Sequence, residues 1–366
     1  MNTDYIIQLT ELFHTEVNIS CPTELLNAEE IFLYGAGRVG GLVHDVLIGN
    51  GHSVAAFLDK RGSREMSYHS KPVYSLKDIG LPQETMQNAV VILSFDGQES
   101  EFTAVTNQLR AVGFRNILHY KHFAAFLYNP YDIQTAQQAI LDFAALLDEE
   151  ESIQVLYQFV KAKLTSDFDA FCRPCDELQY FVPSITFSKG YERFVDCGAY
   201  VGDSILTGLQ HGIPLQSVVC FEPDAKNFAL LHKNLANCPT LQTAICFPCG
   251  VSERAGKFFF TNQGTAGSHI SAYGTEMIQC VSLSEALIGF HPTFIKMDVE
   301  GAEYDAVLGA RKILEEDKPD LAISVYHKND DIWRLPALIR SIVPEYRFYL
   351  RSHGFYGVDT VLYATI

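Results

Sequence analysis

The feature that most constrains this chain is a glycine-containing loop between an apolar strand pattern and a helix. Residues 194–203 read FVDCGAYVGD, so the strand runs into an acid, Asp196, and then into Gly198 and Gly202. Glycines let a backbone turn sharply and approach a ligand closely, and the following helix N-terminus offers free N–H groups. The pattern predicts a cofactor-binding loop at the tip of a strand.

A second strand pattern ends in a carboxylate. Residues 217–222 read SVVCFE, and Glu222 follows Gly198 at roughly the 20-residue spacing at which an acid reaches ribose hydroxyls. The loop lacks the first of the two close glycines that suit a pyrophosphate, and Asp196 would repel phosphates but attract a cation. S-adenosylmethionine carries an amino group and a sulfonium but no phosphate. We therefore interpret the loop as an S-adenosylmethionine site.

Four segments, taken in order, resemble the FkbM-type methyltransferase family. They are residues 194–202, 220–223 (CFEP), 295–303 (IKMDVEGAE) and 324–327 (SVYH). The resemblance covers about residues 180–366 and implies a class I, seven-stranded methyltransferase fold. It also implies S-adenosyl-L-methionine as cofactor and, usually, a hydroxyl of a sugar or secondary metabolite as methyl acceptor.

The resemblance assigns roles to individual residues of this site. By the motif match, Asp196, Gly198 and Gly202 would line the methionine part of the cofactor, and Glu222 would hold the ribose. Tyr200 and Ser252 are included among the cofactor-binding residues. The family often has an acid near adenine after the third strand, whereas this chain has Gly-Val-Ser-Glu at residues 250–253.

Candidate catalytic residues follow two later strand patterns. Asp298 and Glu300 come after one strand and His327 after the next, and ligands of open α/β sheets bind beyond the carboxyl ends of strands. A hydroxyl reacts better as its proton is removed, and a neutral histidine suits that task near pH 7. We predict His327 as base, supported by Asp298 or Glu300, and no metal; a divalent ion that bridges Asp298 with other oxygens is left open as an alternative. The alternatives are that Asp298 holds the methionine amine, Glu300 caps the next helix and His327 is a packed loop residue.

The first half of the chain carries a separate βαβ pattern. A strand at residues 31–34 precedes Gly35, Gly37 and Gly40 in the order Gly-x-Gly-x-x-Gly, and a second strand ends at Asp59. This arrangement is typical of a dinucleotide site, with the acid on the ribose. It also resembles nucleotide-sugar-binding and sensor-type Rossmann domains. NAD(H), a sugar nucleotide and no ligand, with the glycines serving only packing, are all left open.

Composition narrows the choice of partners. The formal net charge is −17, which argues against nucleic acid or an anionic membrane, since both need basic patches. The N-terminal residues lack the pattern of a secretory signal, so we expect a cytoplasmic protein. Two Cys-x-x-Cys pairs, at 172/175 and 246/249, are more simply free thiols than zinc ligands. The second pair lies in an expected buried strand, where its side chains would point to opposite faces.

The predicted organisation is α/β with two Rossmann-like domains. The boundaries are a helical lead at 1–28, a nucleotide-binding type of domain at 29–125, a helical connector at 126–180 and the methyltransferase domain at 181–366. Alternating strands and helices predict a parallel sheet, and residues 346–351 and 359–364 predict an antiparallel terminal hairpin. Residues 264–269 predict a substrate loop or a plain surface loop.

These patterns predict an S-adenosylmethionine-dependent methyltransferase that methylates a hydroxyl of a sugar, glycan precursor or small metabolite. The alternative is a nucleotide-sensing regulatory protein whose methyltransferase-like domain is not catalytic. A weaker alternative makes the first domain an NAD-dependent oxidoreductase.

Overall fold

The computed structural model describes residues 2–14, 25, 27–63, 65–77, 79–95, 97, 99–120, 130–165, 167, 170–236, 238–261, 269–270 and 276–366. The chain divides into two compact units. The small unit consists of residues 11–135 and 158–171, and the large unit of residues 1–10, 136–157 and 172–366. Helices α1 (Asn2–Leu12) and α7 (Glu150–Thr165) each contribute residues to both units.

The small unit is built on a six-stranded sheet with the order β3-β4-β2-β1-β5-β6. The strands are β1 (Ile31–Tyr34), β2 (Val54–Leu58), β3 (Ser67–Tyr68), β4 (Lys71–Tyr74), β5 (Val90–Leu93) and β6 (Asn116–His119). The helices that lie wholly within it are α2 (Arg38–Gly49), α3 (Gln83–Asn88), α4 (Glu99–Val112) and α5 (Pro130–Thr135). All strand pairs are parallel except β3 with β4. All four residues of β5 are buried, as expected for a central parallel strand covered on both faces.

The large unit contains a seven-stranded sheet and a smaller four-stranded one. The strands are β7 (Arg193–Cys197), β8 (Ser217–Phe221), β9 (Thr243–Phe247), β10 (Gly250–Val251), β11 (Gly256–Thr261), β12 (His269–Ile270), β13 (Glu276–Val281), β14 (Phe294–Met297), β15 (Asp320–Ser324), β16 (Arg347–Ser352) and β17 (Thr360–Thr365). The helices are α6 (Gln137–Ala144), α8 (Asp203–Gln210), α9 (Ala225–Leu235), α10 (Leu283–Ala286), α11 (Glu303–Gly309), α12 (Arg311–Glu316) and α13 (Asp331–Ile342), with a short 3-10 helix at Phe355–Gly357.

The seven-stranded sheet has the order β16-β17-β15-β14-β7-β8-β9. Strands β15, β14, β7, β8 and β9 run parallel, and β17 is antiparallel to both β15 and β16. The central strands β7, β14 and β15 are buried along nearly all of their length, as expected for parallel strands covered on both faces, and the rings of Phe194 and Phe294 stack with centroids 5.4 Å apart. The parallel sheets confirm the predicted mixed α/β class.

The smaller sheet has the order β10-β13-β11-β12. Residues 264–268 of the predicted substrate loop lie outside the described residues, as do residues 15–24 of the predicted helical lead. The expectation of a buried strand around Cys246 was wrong. Strand β9 lies at the edge of the large sheet, its first three residues are exposed, and Cys249 lies beyond its end.

A buried arginine joins three segments of the large unit. The Arg351 side chain, only 1% exposed, pairs with Glu149, with Glu151 at 3.3 Å and with Glu177 at 3.4 Å, and it donates to Ser184 Oγ at 2.9 Å. Beside it, the Leu350 N–H donates to Ser152 Oγ at 2.9 Å. The start of α7 is therefore tied to strand β16.

A search of the described helices found none with both the length and the apolar content needed to cross a membrane.

Candidate cofactor site

A cavity of the large unit opens where three neighbouring parallel strands end. Strand β7 pairs with β8 on one side and β14 on the other, with Cys197 in register with Phe221 and Met297. The next residues of the three strands, Gly198, Glu222 and Asp298, therefore meet at one edge of the sheet. They line a cavity of about 370 Å³. Sequence reasoning placed all three at strand tips, and the fold brings them together.

The backbone of the loop requires glycine at Gly198. Its φ is +80°, and a Cβ there would lie 1.9 Å from the carbonyl oxygen of Asp298. The loop also bends at Tyr200, which has a φ of +47° and lines the cavity. Gly202 is not among the lining residues; it precedes α8 with a φ of +84°, and a Cβ there would meet Leu231. Gly198 thus lets two strand tips approach, while Gly202 starts the helix.

Glu222 lies at the tip of β8, held by backbone donors. Its Oε2 accepts from the Tyr200 N–H at 2.9 Å and its Oε1 from the Asp224 N–H at 2.8 Å. Burial raises the pKa of this carboxyl to about 7, against the opposing effect of those two N–H groups. The carboxyl is fixed in place and still lines the cavity, as a ribose acceptor must.

Asp196 is buried beneath the loop and is not among the cavity-lining residues. Its Oδ1 lies 2.8 Å from Nζ of Lys296, which also donates to the carbonyl oxygen of Gly198 at 2.7 Å. Burial raises the pKa of Asp196 to about 6, against the charge of Lys296. Burial would lower the pKa of Lys296, but the carboxylates of Asp196 and Asp298 outweigh it and hold that pKa above its usual range. The pair is therefore charged near pH 7.

The predicted catalytic residues do come together. His327 Nε2 lies 3.5 Å from Asp298 Oδ1 and 3.5 Å from Glu300 Oε2, and its Nδ1 lies 2.9 Å from Glu303 Oε1. Tyr180 donates its hydroxyl to Asp298 Oδ2 at 2.9 Å. Asp298, Glu300 and Tyr180 line the cavity, whereas His327 lies behind them with its side chain 4% exposed.

The protonation state of His327 bears on the predicted role as base. Burial would lower its pKa, but the carboxylates of Glu303, Asp298 and Glu300 outweigh burial and raise the pKa to about 9. Burial also acts to raise the pKa of Asp298, yet Lys296 and His327 hold it below its usual range. The ring therefore carries a proton near pH 7 in this arrangement, and a protonated ring cannot accept one.

The acid at the start of α11 is Glu303 and not Glu300. Its Oε1 accepts from the Val299 N–H at 2.9 Å, and its side chain is fully buried. Glu300 has a φ of +54° and turns its carboxylate toward the cavity and His327. Such strained backbone is common where a side chain is positioned for function.

Ser252, predicted among the cofactor residues, is buried elsewhere. The Ser252 N–H donates to the carbonyl oxygen of Val281, and a Cβ on Gly309 would lie 2.1 Å from the carbonyl oxygen of Ser252. The preceding residues, Gly250 and Val251, line the cavity instead.

Sequence reasoning missed four residues of this site. Lys296, Tyr180, Asp203 and Glu303 have no role in the sequence prediction, although all of them except Tyr180 stand inside the segments that carry it. Lys296, Tyr180 and Asp203 line the cavity. Five acids line it in all, against a single basic side chain among the described residues: Asp203, Glu222, Asp298, Glu300 and Asp359, with Lys296.

The glycine motif of the small unit is largely explained by packing. A Cβ on Gly40 would lie 1.9 Å from the carbonyl oxygen of Gly35, whereas one on Gly37 would have no atom within 4 Å. Asp59 Oδ2 accepts from the Ala36 N–H at 3.0 Å, and Arg61 binds both carboxylate oxygens. The acid predicted for a ribose is thus already paired with donors of its own chain, and a nucleotide site there stays a prediction.

Comparisons with known proteins agree with the geometry. Residues 196–355 match the family model described as the FkbM methyltransferase domain. Among solved structures the chain is similar to methyltransferase FkbM from Methylobacillus flagellatus KT, with 24% identity, a TM-score of 0.69 and 99% of each chain covered. The citrinin polyketide synthase CMeT domain aligns with 10% identity over 100% of this chain and 93% of that one, but its TM-score of 0.27 carries no argument. No curated protein matched.

The family match confirms the resemblance predicted for this part of the chain and supports a methyltransferase. The likeness to the Methylobacillus flagellatus protein shows the fold alone.

Proposed function

We propose, on the premise that residues 196–355 match the FkbM methyltransferase domain, that this protein transfers the methyl group of S-adenosyl-L-methionine to a hydroxyl of a sugar, glycan precursor or small metabolite. The observation that carries the proposal is the acid-lined cavity at the ends of β7, β8 and β14. Its size falls within the range typical of small-molecule sites, and it lies where open α/β sheets bind ligands.

The cofactor would lie across the three strand tips. Glu222 would accept hydrogen bonds from the two ribose hydroxyls, and the apolar side chains of Val251 and Ile278, which also line the cavity, would contact the adenine. The methionine part would lie over Gly198, where Asp203 and Asp298 present carboxylates to the amino group and sulfonium. A cavity with five acids favours such a cation over a diphosphate, which would be repelled.

The reaction is an in-line displacement at the methyl carbon. The acceptor oxygen forms the new O–C bond as the C–S bond breaks, and the electron pair of that bond stays on sulfur. The acceptor proton passes to a carboxylate of Asp298 or Glu300, since these acids line the cavity whereas His327 lies behind them. His327 then acts as a positioning residue that orients both acids.

The family match does not favour a purely regulatory protein. The weaker oxidoreductase alternative depends on the glycine motif of the small unit, whose acid is paired with Arg61. Occupancy of that unit by NAD(H) or a sugar nucleotide remains a separate prediction.

Calorimetric titration tests the cofactor assignment. S-adenosylmethionine, S-adenosylhomocysteine and NADH are added in turn to the wild-type chain, to Glu222→Ala and to Glu345→Ala, which removes a surface carboxylate with its side chain 53% exposed. We expect both adenosyl ligands to bind the wild type and Glu345→Ala, and Glu222→Ala to lose affinity about 10- to 100-fold, as for a hydrogen bond to a charged group. NADH binding without adenosyl binding would overturn the proposal.

Transfer itself is tested with methyl-labelled cofactor and a panel of sugars and sugar nucleotides. Label on an alkali-stable ether of the acceptor would support O-methylation. Label confined to amines would contradict the proposed acceptor class while leaving the cofactor assignment intact.

A further inference from the structure

One ring nitrogen of a buried histidine at the edge of the cavity, Nε2 of His327, faces two carboxylates without hydrogen bonding to them. We call His327, Asp298, Glu300 and Glu303 the His327 cluster. The His327 side chain is 4% exposed, and its Nε2 and Asp298 Oδ1 are both buried without a hydrogen-bond partner among the described residues. A buried polar atom with no partner is costly, so a pair of them pointing at one space calls for an explanation.

The spacing of these atoms fits two ligands of one metal ion. Asp298 Oδ1 and Glu300 Oε2 each lie 3.5 Å from His327 Nε2, too far for a good hydrogen bond. Two atoms bound at about 2.1 Å to one ion are roughly 3.0–3.4 Å apart in octahedral or tetrahedral geometry. Ligand atoms of Asp298, Glu303 and His327 all lie within 4.8 Å of one another, a group that does not include Glu300, so the Glu300 side chain would have to move to complete the proposed ligand set.

The other ring nitrogen has the partner that a metal-binding histidine usually has. Nδ1 of His327 lies 2.9 Å from Glu303 Oε1, and Glu303 is itself held by the Val299 N–H. A carboxylate that accepts from Nδ1–H fixes the tautomer in which Nε2 offers its lone pair. The hydroxyl of Tyr180 likewise binds Asp298 Oδ2 and leaves Oδ1 turned toward the histidine.

Charge balance also favours a divalent ion. The cluster holds three carboxylates, and the nearby cation, Lys296, already pairs with Asp196. Lys296 acts on Asp298 as well, and a divalent ion would add further positive charge beside the three carboxylates. Buried charges need such compensation.

We propose that the His327 cluster binds a divalent transition-metal ion of the Mn²⁺ or Zn²⁺ class through His327 Nε2 and the carboxylates of Asp298 and Glu300, with Glu303 orienting the ring. An imidazole ligand disfavours Mg²⁺ and Ca²⁺, which prefer all-oxygen sites. Because Asp298 and Glu300 line the cavity, the remaining coordination positions of the ion face it. Binding of the acceptor oxygen by this ion would rest on the proposed function. Binding of the ion itself does not depend on that function.

The test is Mn²⁺ titration of chelator-treated full-length protein that carries no polyhistidine tag. Free Mn²⁺ is followed by electron paramagnetic resonance and binding heat by calorimetry, with Zn²⁺ as second probe. We expect one saturable site, its loss in His327→Asn, and affinity weakened about 10- to 100-fold in Glu303→Gln, the usual effect of removing a carboxylate behind a metal-binding histidine. Thermal unfolding checks that each variant is folded, and Glu300→Gln replaces His327→Asn if that variant is not.

Two histidine variants serve as controls. His291→Asn changes an exposed histidine that pairs with Asp317 and precedes β14 in the chain. Mn²⁺ binding should therefore be unchanged in this variant. His69→Asn disrupts a second group of potential ligands found among the described residues, which consists of His44, Asp45 and His69 in the small unit. Absence of saturable binding, binding unaffected by both His327→Asn and Glu300→Gln, or binding lost in His69→Asn would overturn the proposal.

The outcome is separable from that of the proposed function. Adenosyl-ligand binding is measured in excess chelator, so it tests the cofactor site independently of any ion. Adenosyl-ligand binding together with no saturable Mn²⁺ binding refutes only the metal site. Mn²⁺ binding without adenosyl-ligand binding refutes only the methyltransferase assignment.

Discussion

Lys296 Nζ lies 2.8 Å from Asp196 Oδ1, and both side chains are almost fully buried on adjacent parallel strands. The two residues are in register across β7 and β14. Because the same ammonium binds the carbonyl oxygen of Gly198, this ion pair supports the loop from below. Asp196 is therefore better described as the partner of Lys296 than as a direct cofactor contact.

Removal of one partner should cost more than removal of both. Lys296→Met leaves a buried carboxylate unpaired, and breaking such a pair typically costs about 3–5 kcal/mol of unfolding free energy. The double variant Asp196→Asn/Lys296→Met should lose clearly less than the sum of the two single variants. Urea unfolding of all four proteins measures this coupling. The exposed pair Lys318–Glu345 is the control and should give under about 1 kcal/mol. Additive losses at Asp196 and Lys296 would contradict the assignment.

Substitution of Gly198 should disrupt the cavity. Gly198→Ala adds a methyl group 1.9 Å from the Asp298 carbonyl oxygen at a φ of +80°, so the tips of β7 and β14 must separate. We expect loss of adenosyl-ligand binding in calorimetry together with a lower Tm. Gly212→Ala is the matched control, since Gly212 has a φ of +74° but no atom within 4 Å of an added Cβ. It should cost only the backbone strain of about 1 kcal/mol and retain binding.

Cofactor affinity should depend on pH through Glu222. Its pKa is raised by burial to about 7 from 4.5, so the carboxyl changes charge between pH 6 and 8. An ionised carboxylate accepts more strongly from ribose hydroxyls, so we expect binding about tenfold tighter at pH 8 than at pH 6. Glu222→Gln should reduce this pH dependence, and calorimetry at both pH values measures it. An unchanged profile in the variant would assign the effect to another group.

Glu222 should also make the free energy of unfolding depend on pH, but this free energy should fall as pH rises, whereas cofactor affinity should rise. The folded protein binds the Glu222 proton more tightly than the unfolded chain does, because its pKa is higher in the fold. Its contribution to the unfolding free energy is thus fully present below pH 4.5 and lost as pH rises through 7. Without ligand, the difference in Tm between wild type and Glu222→Gln should shift with pH in that direction. A constant difference between pH 5 and 8 would contradict the raised pKa.

Removal of the buried Arg351 should lower the free energy of unfolding more than removal of an exposed arginine on the same strand. Arg351→Met leaves Glu149 and Glu177 without their buried partner, and we expect a loss of about 3 kcal/mol in urea unfolding. Arg347→Met, on the same strand but half exposed and 3.6 Å from Asp148, should lose less than about 1 kcal/mol. Equal losses in the two variants would show that burial of Arg351 adds nothing.

The strand-tip residues were predictable because their signals are local. A strand that ends in Gly198 or Glu222 places that residue at the carboxyl edge wherever the strand lies in the sheet. The role of Lys296 was not predictable, because a lysine within the apolar sequence Ile-Lys-Met is explained only by an acid on the adjacent strand. That acid, Asp196, becomes its neighbour through the order of strands, which sequence patterns alone do not specify. The partner of His327 was missed for the same reason, since Glu303 acts through the direction in which α11 presents it.

The division of the chain into units limits how the part that matches the family model could be separated or exchanged. The boundary between the units is crossed after residues 10, 135, 157 and 171, so no single cleavage releases either one. A fragment of residues 172–366 would hold the whole cofactor cavity, yet Arg351 would lack Glu149 and the Leu350 N–H would lack Ser152. The segment that matches the family model is therefore shorter than the part of the chain that would be needed for an independently folding fragment.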